Sequence, residues 1–242
     1  MKIIQILIIF KDMKYSLVIF DLDGTILNTL DDLADSLNAS LKNNALSTYT
    51  VEEVRFMVGN GIRKLIERAV PGAEANPKFQ KVYDDFVEYY RNHCLEKTAP
   101  YQGMTECLKE LKARGCKIAV NTNKDEVAAI ELCKRFFPGL IDCISGGKDS
   151  IPVKPSPLGV YSICKKLGLC AGNTCGAEEK PDEKILSGLL FVGDSDVDIA
   201  TGLNAGIDAV GAEWGFRGKV FLIEHGAKMT AAAPLDLLNL IV

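Results

Sequence analysis

Two aspartates, Asp21 and Asp23, follow an unbroken apolar run near the start of the chain, and Gly24 comes directly after them. The run covers residues 17–20 (LVIF) and contains β-branched side chains, which predicts a strand buried on both faces, as in a parallel sheet. In extended backbone, residues two apart point the same way, so both carboxylates can serve one site. Open α/β sheets bind their ligands at the carboxyl ends of such strands, and we therefore expect chemistry at this point.

Other polar side chains follow later strands of the predicted sheet. Thr122 and Asn123 come after one strand, Asp194 and Asp198 come after another, and Lys154 lies in a loop beside a proline. The carboxyl ends of parallel strands lie along one edge, so we expect these residues to converge with the first two aspartates. The expected site contains several carboxylates, one hydroxyl, one amide and one ammonium group.

A cluster of carboxylates repels itself unless a cation neutralises it. Mg²⁺ suits this set, because a hard cation binds one or two carboxylates, waters and a substrate phosphate oxygen. The composition predicts phosphoryl transfer to an enzyme carboxylate, with Asp21 as the nucleophile that forms an aspartyl-phosphate. We expect Asp23 to protonate the leaving alcohol and then to activate the water that hydrolyses this intermediate.

The remaining side chains of the set have supporting roles in this mechanism. Thr122 and Lys154 are expected to hold the phosphoryl oxygens, and Lys154 also offsets the charge on Asp21. Asp194 is expected to bind Mg²⁺, and Asp198 to anchor the surroundings of the metal or Lys154. A serine-hydrolase mechanism is excluded, since the chain has no GxSxG motif and neither of its two histidines lies near a sheet-edge motif.

Each of these features also has an ordinary structural explanation. An Asp-Gly pair can form a turn, Thr122 or an aspartate can cap a helix, and Lys154 can be a solvated loop residue. Taken one at a time, these explanations compete with the catalytic roles. Their occurrence together and in this order favours a functional site.

The elements that must position these residues form a helical block followed by an alternating block. Apolar residues three and four apart (Leu30, Leu33, Leu37 and Leu41) predict an amphipathic helix, and no strand pattern is found between residues 27 and 100. Beyond that block, strands alternate with helices. The predicted strands are 116–120, 141–145, 185–192 and 207–212, and the predicted helices are 126–136, 158–167 and 199–205.

This alternation predicts an α/β fold, a doubly wound parallel sheet with a Rossmann-like core and an inserted all-helical domain. We expect an N-terminal extension over residues 1–12, an α/β catalytic core of residues 13–26 and 101–242, and a helical domain of residues 27–100. Residues 170–187 are polar without periodicity and predict an exposed loop.

Composition and charge exclude several classes of protein. The net charge is −4 without a basic cluster, which argues against a nucleic-acid binder. The apolar run at residues 3–10 is too short to cross a membrane, so we expect no membrane association. Met13, which follows this run, is a candidate translation start.

The eight cysteines form no CxxC pair, which indicates a reduced, cytoplasmic protein. Cys170 and Cys175 could bind a metal or form a disulfide, although no histidine lies nearby.

Four segments carry a resemblance to a known family: DLDGT (21–25), NTNK (121–124), KPSP (154–157) and GDSDVDIATGLNAG (193–206). In this order and spacing they resemble the four motifs of the haloacid dehalogenase-like hydrolases. The resemblance extends over residues 15–242 and implies the same α/β core. It also implies Mg²⁺ as the cofactor and a small phosphorylated metabolite as the partner.

The helical domain resembles the C1 cap of that family. Three further segments are similar to the phosphoglycolate phosphatase-like branch: MVGNGIRKLIERA (57–69), PYQGMTECLKELKARG (100–115) and AEWGFRG (212–218). The resemblance therefore implies a phosphatase for a small phosphate monoester, with 2-phosphoglycolate as the best match. We expect a monomer or a homodimer.

Residue roles also come with the resemblance. It implies Asp21 as the nucleophile and Asp23 as the general acid and base, with Thr122 and Lys154 binding phosphate. Mg²⁺ is implied to be bound by Asp21, Asp194 and the main chain of Asp23. These assignments match the roles that the residue types themselves suggest.

Residues beside these groups are expected to support or to select. Asp198 and Ser195 support the metal site from behind its ligands, and Asn123 contacts the substrate. The cap presents Asn60 or Arg63 to the non-phosphate end, where Arg63 suits a carboxylate through a two-pronged hydrogen bond. Closure of the cap about its two connections to the core is expected to exclude water.

Other activities on the same core stay open. A sugar-phosphate mutase, a pyrophosphatase or a nucleotidase would use the same motifs, whereas Asp23 argues against a dehalogenase, whose pattern lacks an acid at that position. A non-catalytic binding protein is the alternative from a different class. It is disfavoured because every expected catalytic side chain is present.

Overall fold

The computed structural model describes residues 14–148, 152–169 and 179–241. The predicted extension at residues 1–12, the candidate start Met13, and the pair Cys170 and Cys175 lie outside the described residues. The strands are β1 (Leu17–Phe20), β2 (Leu27–Asn28), β3 (Ala99–Pro100), β4 (Lys117–Asp125), β5 (Cys143–Gly147), β6 (Leu189–Gly193), β7 (Asp208–Ala212) and β8 (Met229–Ala231).

Helices precede or follow most of these strands. They are α1 (Leu30–Asn43), α2 (Val51–Met57), α3 (Ile62–Ala69), α4 (Phe79–His93), α5 (Met104–Ala113), α6 (Glu126–Phe136), α7 (Leu158–Lys166), α8 (Glu183–Leu186), α9 (Asp196–Ala205), α10 (Gly218–Glu224) and α11 (Leu237–Leu240). Short 3₁₀ turns cover Ala73–Ala75 and Pro234–Asp236. Among the described helices, none combines the length and the apolar character that a membrane crossing requires.

Six strands form one parallel sheet in the order β5-β4-β1-β6-β7-β8. β1 lies in the middle, with Phe20 opposite Val120 of β4 on one side and Val192 of β6 on the other. The chain therefore leaves β1 toward both edges of the sheet, and such a switch point opens a crevice at the carboxyl ends of the strands. The predicted α/β fold with a doubly wound parallel sheet is confirmed.

The apolar run of β1 is explained by the two layers that cover the sheet. Val18 and Phe20 pack in one hydrophobic cluster, and Leu17 and Ile19 pack in another. Alternate residues of a strand point to opposite faces, so a strand covered on both faces is apolar at every position. All four side chains are fully buried, which holds the end of β1, and the aspartates that follow it, in one place.

Helices α1 to α4 form a block with a hydrophobic cluster of its own, which includes Leu33, Leu37 and Leu41. The two connections between this block and the sheet pair with each other as the antiparallel ladder of β2 and β3. The sequence shows no strand pattern for this ladder, because two residues a side are too few for alternation to be visible. The proposed domain boundaries themselves stay a prediction.

The segment before β6 differs from its prediction. The strand predicted at 185–192 is wrong at its start, because residues 183–186 form α8 and the strand begins at Leu189. The main-chain N–H groups of Ile185 and Leu186 donate to the carbonyl of Asp182, so these apolar residues close a helical turn. The loop predicted over residues 170–187 is therefore also wrong at its end, because α8 begins at Glu183.

The edge strand β8 was not predicted. It has only three residues, Met229–Ala231, and only the last of them is buried. A short edge strand of mixed polarity carries almost no periodic signal. Other strand bounds also shift: β4 covers Lys117–Asp125 instead of 116–120, β5 covers Cys143–Gly147 instead of 141–145, and β7 begins at Asp208.

The carboxylate of Asp32 on α1 is expected to contribute strongly to the stability of the helical block. This buried side chain accepts the main-chain N–H of Lys97 at 2.9 Å and that of Thr98 at 2.9 Å, just before β3. Asp32→Ala would leave both donors without a partner, and we expect it to lower the free energy of unfolding by about 3 kcal/mol in urea titrations.

Asp35→Ala is the matched control on the same helix. Asp35 also contacts Lys97, but through a salt bridge 2.6 Å long between side chains that are about half exposed. Exposed ion pairs contribute about 0–1 kcal/mol, so this variant should remain close to wild type. Equal losses in the two variants would contradict the importance of the main-chain bonds.

Candidate active site

Asp21 stands directly after β1 and is bound to the neighbouring strand. Its N–H donates to the carbonyl of Val192 at 2.9 Å, which continues the ladder between β1 and β6 past the last residue of β1. Its carboxylate is nearly buried, and Oδ1 lies 2.6 Å from Nζ of Lys154. The Lys154 ammonium is therefore close enough to neutralise charge on this carboxylate.

Lys154 is held from its other side by Asp198, in the first turn of α9. Its Nζ lies 2.6 Å from Oδ1 of Asp198, and both side chains are buried. Oδ2 of Asp198 accepts the N–H of Ser195 at 3.1 Å and its hydroxyl at 2.6 Å. Asp198 thus connects Lys154 to the start of α9. This contact is compatible with the predicted role of Asp198 as an anchor for Lys154.

Asp194 lies at the carboxyl end of β6 beside two glycines. Its Oδ2 accepts the N–H of Phe216 at 2.7 Å, and its Oδ1 accepts the hydroxyl of Thr25 at 3.3 Å. A Cβ atom on Gly24 would lie 2.4 Å from Oδ2 of Asp194, and one on Gly215 would lie 2.2 Å from its Cβ. Only glycine at these positions lets the loops after β1 and β7 approach this carboxylate.

The carboxylates of Asp21, Asp194 and Asp198 form a cluster that fits a hard cation. One carboxylate oxygen from each residue lies within 4.8 Å of the other two, and all three residues are buried. Asp198 uses both oxygens for Lys154 and Ser195, so Asp21 and Asp194 are the carboxylates best placed to hold Mg²⁺. The side chain of Asp23 is not part of the cluster, and the expected metal role of its main chain stays a prediction.

Burial dominates the electrostatics of this cluster. It raises the pKa of Asp21 to about 7, with a further increase from the charge of Asp198 and an opposing effect from Lys154. Burial, together with the charges of Asp198 and Asp21, also holds the pKa of Asp194 well above its usual range. The carboxylates repel one another when they are ionised. A bound cation would favour their ionised forms, which is the behaviour expected of a metal site.

Asp23 points away from this cluster toward Lys124. Both of its oxygens accept hydrogen bonds from Nζ of Lys124, at 2.9 and 3.0 Å, and Oδ1 also accepts the hydroxyl of Thr29 at 2.8 Å. Burial lowers the pKa of Lys124, but its interactions with Asp23 and Tyr90 together more than offset this, and the pKa stands above its usual value. Lys124 of β4 and Thr29, which precedes α1, therefore hold the Asp23 carboxylate in place.

Lys124 is a site residue that the sequence analysis missed. It lies two residues after Thr122 in β4, so the two side chains can point the same way from extended backbone. The spacing of Thr122 and Lys124 in the NTNK segment could have indicated this. The predicted strand ended at residue 120, however, whereas the observed strand continues to Asp125 and places Lys124 on the same face as Thr122.

Thr122 and Asn123 lie where they were expected, but they do different things. Thr122 is buried in the cavity wall, and its hydroxyl accepts the N–H of Lys124 at 3.2 Å. The amide of Asn123 accepts the N–H of Lys154 at 2.8 Å and donates to the carbonyl of Gly59 at 3.3 Å. Asn123 therefore fixes the lysine loop against the helical block as well as facing the cavity.

A cavity of about 80 Å³ lies between the sheet edge and the helical block. This is small beside the ~300–1,000 Å³ of typical ligand pockets, which suits a small metabolite. Its polar wall comes from the core, and its apolar wall comes mostly from α1 and α3. The lining residues are Asp21, Asp23, Leu33, Val58, Gly59, Gly61, Ile62, Leu65, Tyr90, Thr122, Asn123, Lys124, Asp125 and Ala128.

The two residues proposed to select the substrate are not brought into this cavity. Nε of Arg63 donates to Glu74 at 2.7 Å, and the Arg63 side chain is more than half exposed. Oδ1 of Asn60 accepts from Arg68 at 2.6 Å. The cavity is lined instead by their neighbours Gly59 and Gly61. The role of Arg63 and Asn60 in substrate binding stays a prediction that this geometry does not favour.

Arg217, in the loop after β7, holds the helical block against the core. Its guanidinium donates to the carbonyl of Val58 at 2.9 Å and to that of Arg55 near the end of α2. In the reverse direction, Nε of Arg55 donates to the carbonyl of Phe216. Since the N–H of Phe216 binds Asp194, one short loop contacts both the carboxylate cluster and the block that covers it.

Comparisons with known proteins agree with this geometry. Residues 18–212 match the family described as haloacid dehalogenase-like hydrolase. The chain is 33% identical to a phosphoglycolate phosphatase of Aquifex aeolicus over 92% of this chain and 95% of that one. It is 34% identical to a phosphoglycolate phosphatase of Neisseria meningitidis over 87% and 85% of the two chains.

The fold agrees as well. A crystal structure from Lactobacillus delbrueckii, named as a candidate phosphoglycolate phosphatase, superposes with a TM-score of 0.84 at 30% identity. The match covers 95% of this chain and 99% of that one. The chain belongs to the haloacid dehalogenase-like hydrolases.

Proposed function

We propose that this protein is a Mg²⁺-dependent phosphatase that hydrolyses a small phosphate monoester through an aspartyl-phosphate on Asp21. The observation that carries the proposal is the buried contact of Asp21 with Lys154, beside Asp194, at the carboxyl end of the central strand. A carboxylate held there by a cation can attack a phosphorus atom whose oxygens share the same positive charges.

Each chemical step uses a residue that lines the cavity. A carboxylate oxygen of Asp21 attacks phosphorus, the bond to the ester oxygen breaks, and Asp23 gives its proton to the leaving alcohol. Asp23 then takes a proton from water, which attacks the phosphorus of the aspartyl-phosphate, releasing inorganic phosphate and restoring Asp21. Thr122 and Lys154 hold the phosphoryl oxygens during both steps, and bound Mg²⁺ would supply further positive charge to them.

We propose 2-phosphoglycolate as the substrate. Two observations support this choice: relatives about one third identical over most of their length carry the name phosphoglycolate phosphatase, and the cavity is small. We also propose that residues 27–100 act as a cap over a core of residues 13–26 and 101–242, and that the β2–β3 ladder carries its movement.

The proposed setting is the cytoplasm, with the protein as a monomer or homodimer. Cys94, Cys107, Cys116, Cys133 and Cys143 are thiols rather than disulfides, which suits a reducing compartment. A net charge of −4 supports a small metabolite rather than a nucleic acid as the partner.

The experiment that tests the proposal is phosphate release from a panel of monoesters, measured with Mg²⁺ and with EDTA. We expect release that requires Mg²⁺ and is fastest with 2-phosphoglycolate. Faster turnover of a nucleotide or of pyrophosphate would reassign the substrate. The absence of release from every ester would contradict the phosphatase proposal and favour a mutase or a binding protein.

A further inference from the structure

Tyr90 on α4 has a buried hydroxyl whose proton has no acceptor. The side chain lines the active-site cavity and is 6% exposed, and among the described residues no group accepts a hydrogen bond from its oxygen. Leaving a buried hydroxyl unpaired costs about 1–3 kcal/mol, so such a group calls for an explanation. Burial raises the pKa of Tyr90 to about 12, so the group keeps its proton and can donate it to a ligand.

The start of α3 opens into the same cavity. Gly59, Gly61 and Ile62 line it, and α3 begins at Ile62 with Gly61 before it and no side chain capping it. The first N–H groups of a helix have no partner within the helix, and together with the helix dipole they attract an anion. The first N–H groups of α3 therefore lie beside the cavity, at the end of the helix that its lining residues begin.

Lys124 adds a positive charge to this part of the cavity. It lines the cavity too, and its ammonium lies 4.8 Å from the centre of the Tyr90 ring. The ammonium and the N–H groups are donors only, and the tyrosine adds a third kind of donor. These groups are separate from the contacts between Lys154, Asp21 and Asp198, although Lys124 is also paired with Asp23.

We propose that the Tyr90 hydroxyl, the start of α3 and Lys124 form a subsite that binds a carboxylate of the substrate. The enzyme would then select phosphate esters that carry a carboxylate close to the phosphoryl group. This inference rests on the proposed phosphatase function and gives it a substrate class. It moves the carboxylate from Arg63, which is paired with Glu74 on the surface, to the interior of the cavity.

A carboxylate fits this subsite better than the other groups a small ester carries. A sugar is disfavoured because a cavity of about 80 Å³ leaves little room for a ring. An alkyl group would leave the tyrosine hydroxyl and the N–H groups unpaired. A carboxylate is small, planar and an acceptor at both oxygens, so it can satisfy all three kinds of donor.

The test compares Tyr90→Phe with Tyr89→Phe, its neighbour on the same helix. Tyr89 stacks on His93, with ring centres 4.0 Å apart, and is not among the residues that line the cavity. The substrates are 2-phosphoglycolate and ethyl phosphate, which has a methyl group in place of the carboxylate. We expect Tyr90→Phe to lower kcat/KM about 10- to 100-fold for 2-phosphoglycolate and by less than about twofold for ethyl phosphate, with Tyr89→Phe near wild type for both.

Equal losses for the two substrates, or no loss for 2-phosphoglycolate, would overturn the subsite. Thermal stability separates a structural role from a binding role. Removal of an unpaired hydroxyl should leave Tm unchanged or higher, so a drop in Tm that accompanies equal losses would identify a purely structural tyrosine.

Binding measured without turnover separates this inference from the proposed function. Calorimetry of both esters with Asp21→Asn in Mg²⁺ should show tighter binding of 2-phosphoglycolate, and adding Tyr90→Phe should weaken that binding about tenfold. The absence of this preference, or its persistence without the hydroxyl, would overturn the subsite. A wild-type protein that shows the preference but releases no phosphate would instead support the subsite and overturn the phosphatase.

Discussion

Asp21→Asn is expected to release phosphate at least about 10⁴-fold more slowly than wild type, because an amide cannot attack phosphorus to form the acyl-phosphate. The substitution keeps the shape of the side chain and removes its charge beside Lys154, so the cavity should keep its form. The measurement is phosphate release from 2-phosphoglycolate at saturating Mg²⁺. Release within tenfold of wild type would show that Asp21 is not the nucleophile.

Asp208→Asn is the control for this substitution. Asp208 is the first residue of β7, at the amino end of the strand. Its carboxylate accepts hydrogen bonds from Lys14 at 3.2 Å and from the hydroxyl of Tyr15. Loss of these partly exposed contacts should affect stability slightly and leave turnover unchanged. The contrast separates the carboxyl ends of the strands, where we place the chemistry, from the amino ends.

A covalent intermediate provides a second reading of the same variant. After brief incubation with ester labelled in its phosphoryl group and an acid quench, label should remain on the wild-type chain and not on Asp21→Asn. Label on neither protein, with normal turnover by wild type, would favour direct attack by water on the ester. This outcome would move Asp21 from nucleophile to metal ligand.

The core of the site could be predicted from the sequence because topology alone brings its parts together. Three of its residues lie at or near the carboxyl ends of strands in one parallel sheet: Asp21, Asp194 and Thr122. They converge because their strands β1, β6 and β4 are neighbours in the sheet. Short polar side chains on such strand ends have little freedom in where they point. Lys154 also lies where its motif suggested. Anchoring this lysine was one of the two roles predicted for Asp198, and the other was to support the metal site.

The helical block was harder to read because its function depends on which face of each helix meets the core. Arg63 and Asn60 stand in the segment that lines the cavity, yet their side chains turn to Glu74 and Arg68 on the surface. Tyr90 lies in an ordinary amphipathic pattern on α4, and nothing in that pattern distinguishes a core tyrosine from one that faces a cavity. The packing of α4 against the sheet edge decides this, and periodicity carries no information about it.

Lys154→Met is expected to lower phosphate release about 10³-fold and to change how stability depends on pH. The Lys154 ammonium lies 2.6 Å from both Asp21 and Asp198, and its side chain is 3% exposed. Without it, the phosphoryl oxygens lose a buried cation, a change that costs about 10²–10³-fold for a single donor and more when the donor is charged. Lys148→Met is the control, since Lys148 pairs with Glu126 in a partly exposed salt bridge of 3.1 Å.

The pH dependence follows from the effect of Lys154 on Asp21. Burial raises the pKa of Asp21 to about 7 although Lys154 opposes the increase, so removing the lysine should raise it further. A carboxyl whose pKa is higher in the folded than in the unfolded chain holds its proton more tightly when folded, and stability is then lost as pH rises through the interval between the two values. Metal-free Lys154→Met should therefore lose more Tm than metal-free wild type between about pH 5 and pH 8.

Mg²⁺ should reverse part of this loss, because a bound cation restores positive charge between Asp21 and Asp194. The gain in Tm on adding Mg²⁺ should be larger at pH 8 than at pH 6, since protonated carboxyls compete with the metal. A lysine that acted only by packing would leave the slope of Tm against pH as it is in wild type. Such a result, together with release within tenfold of wild type, would remove Lys154 from the mechanism and leave Asp21 to depend on the metal alone for its charge.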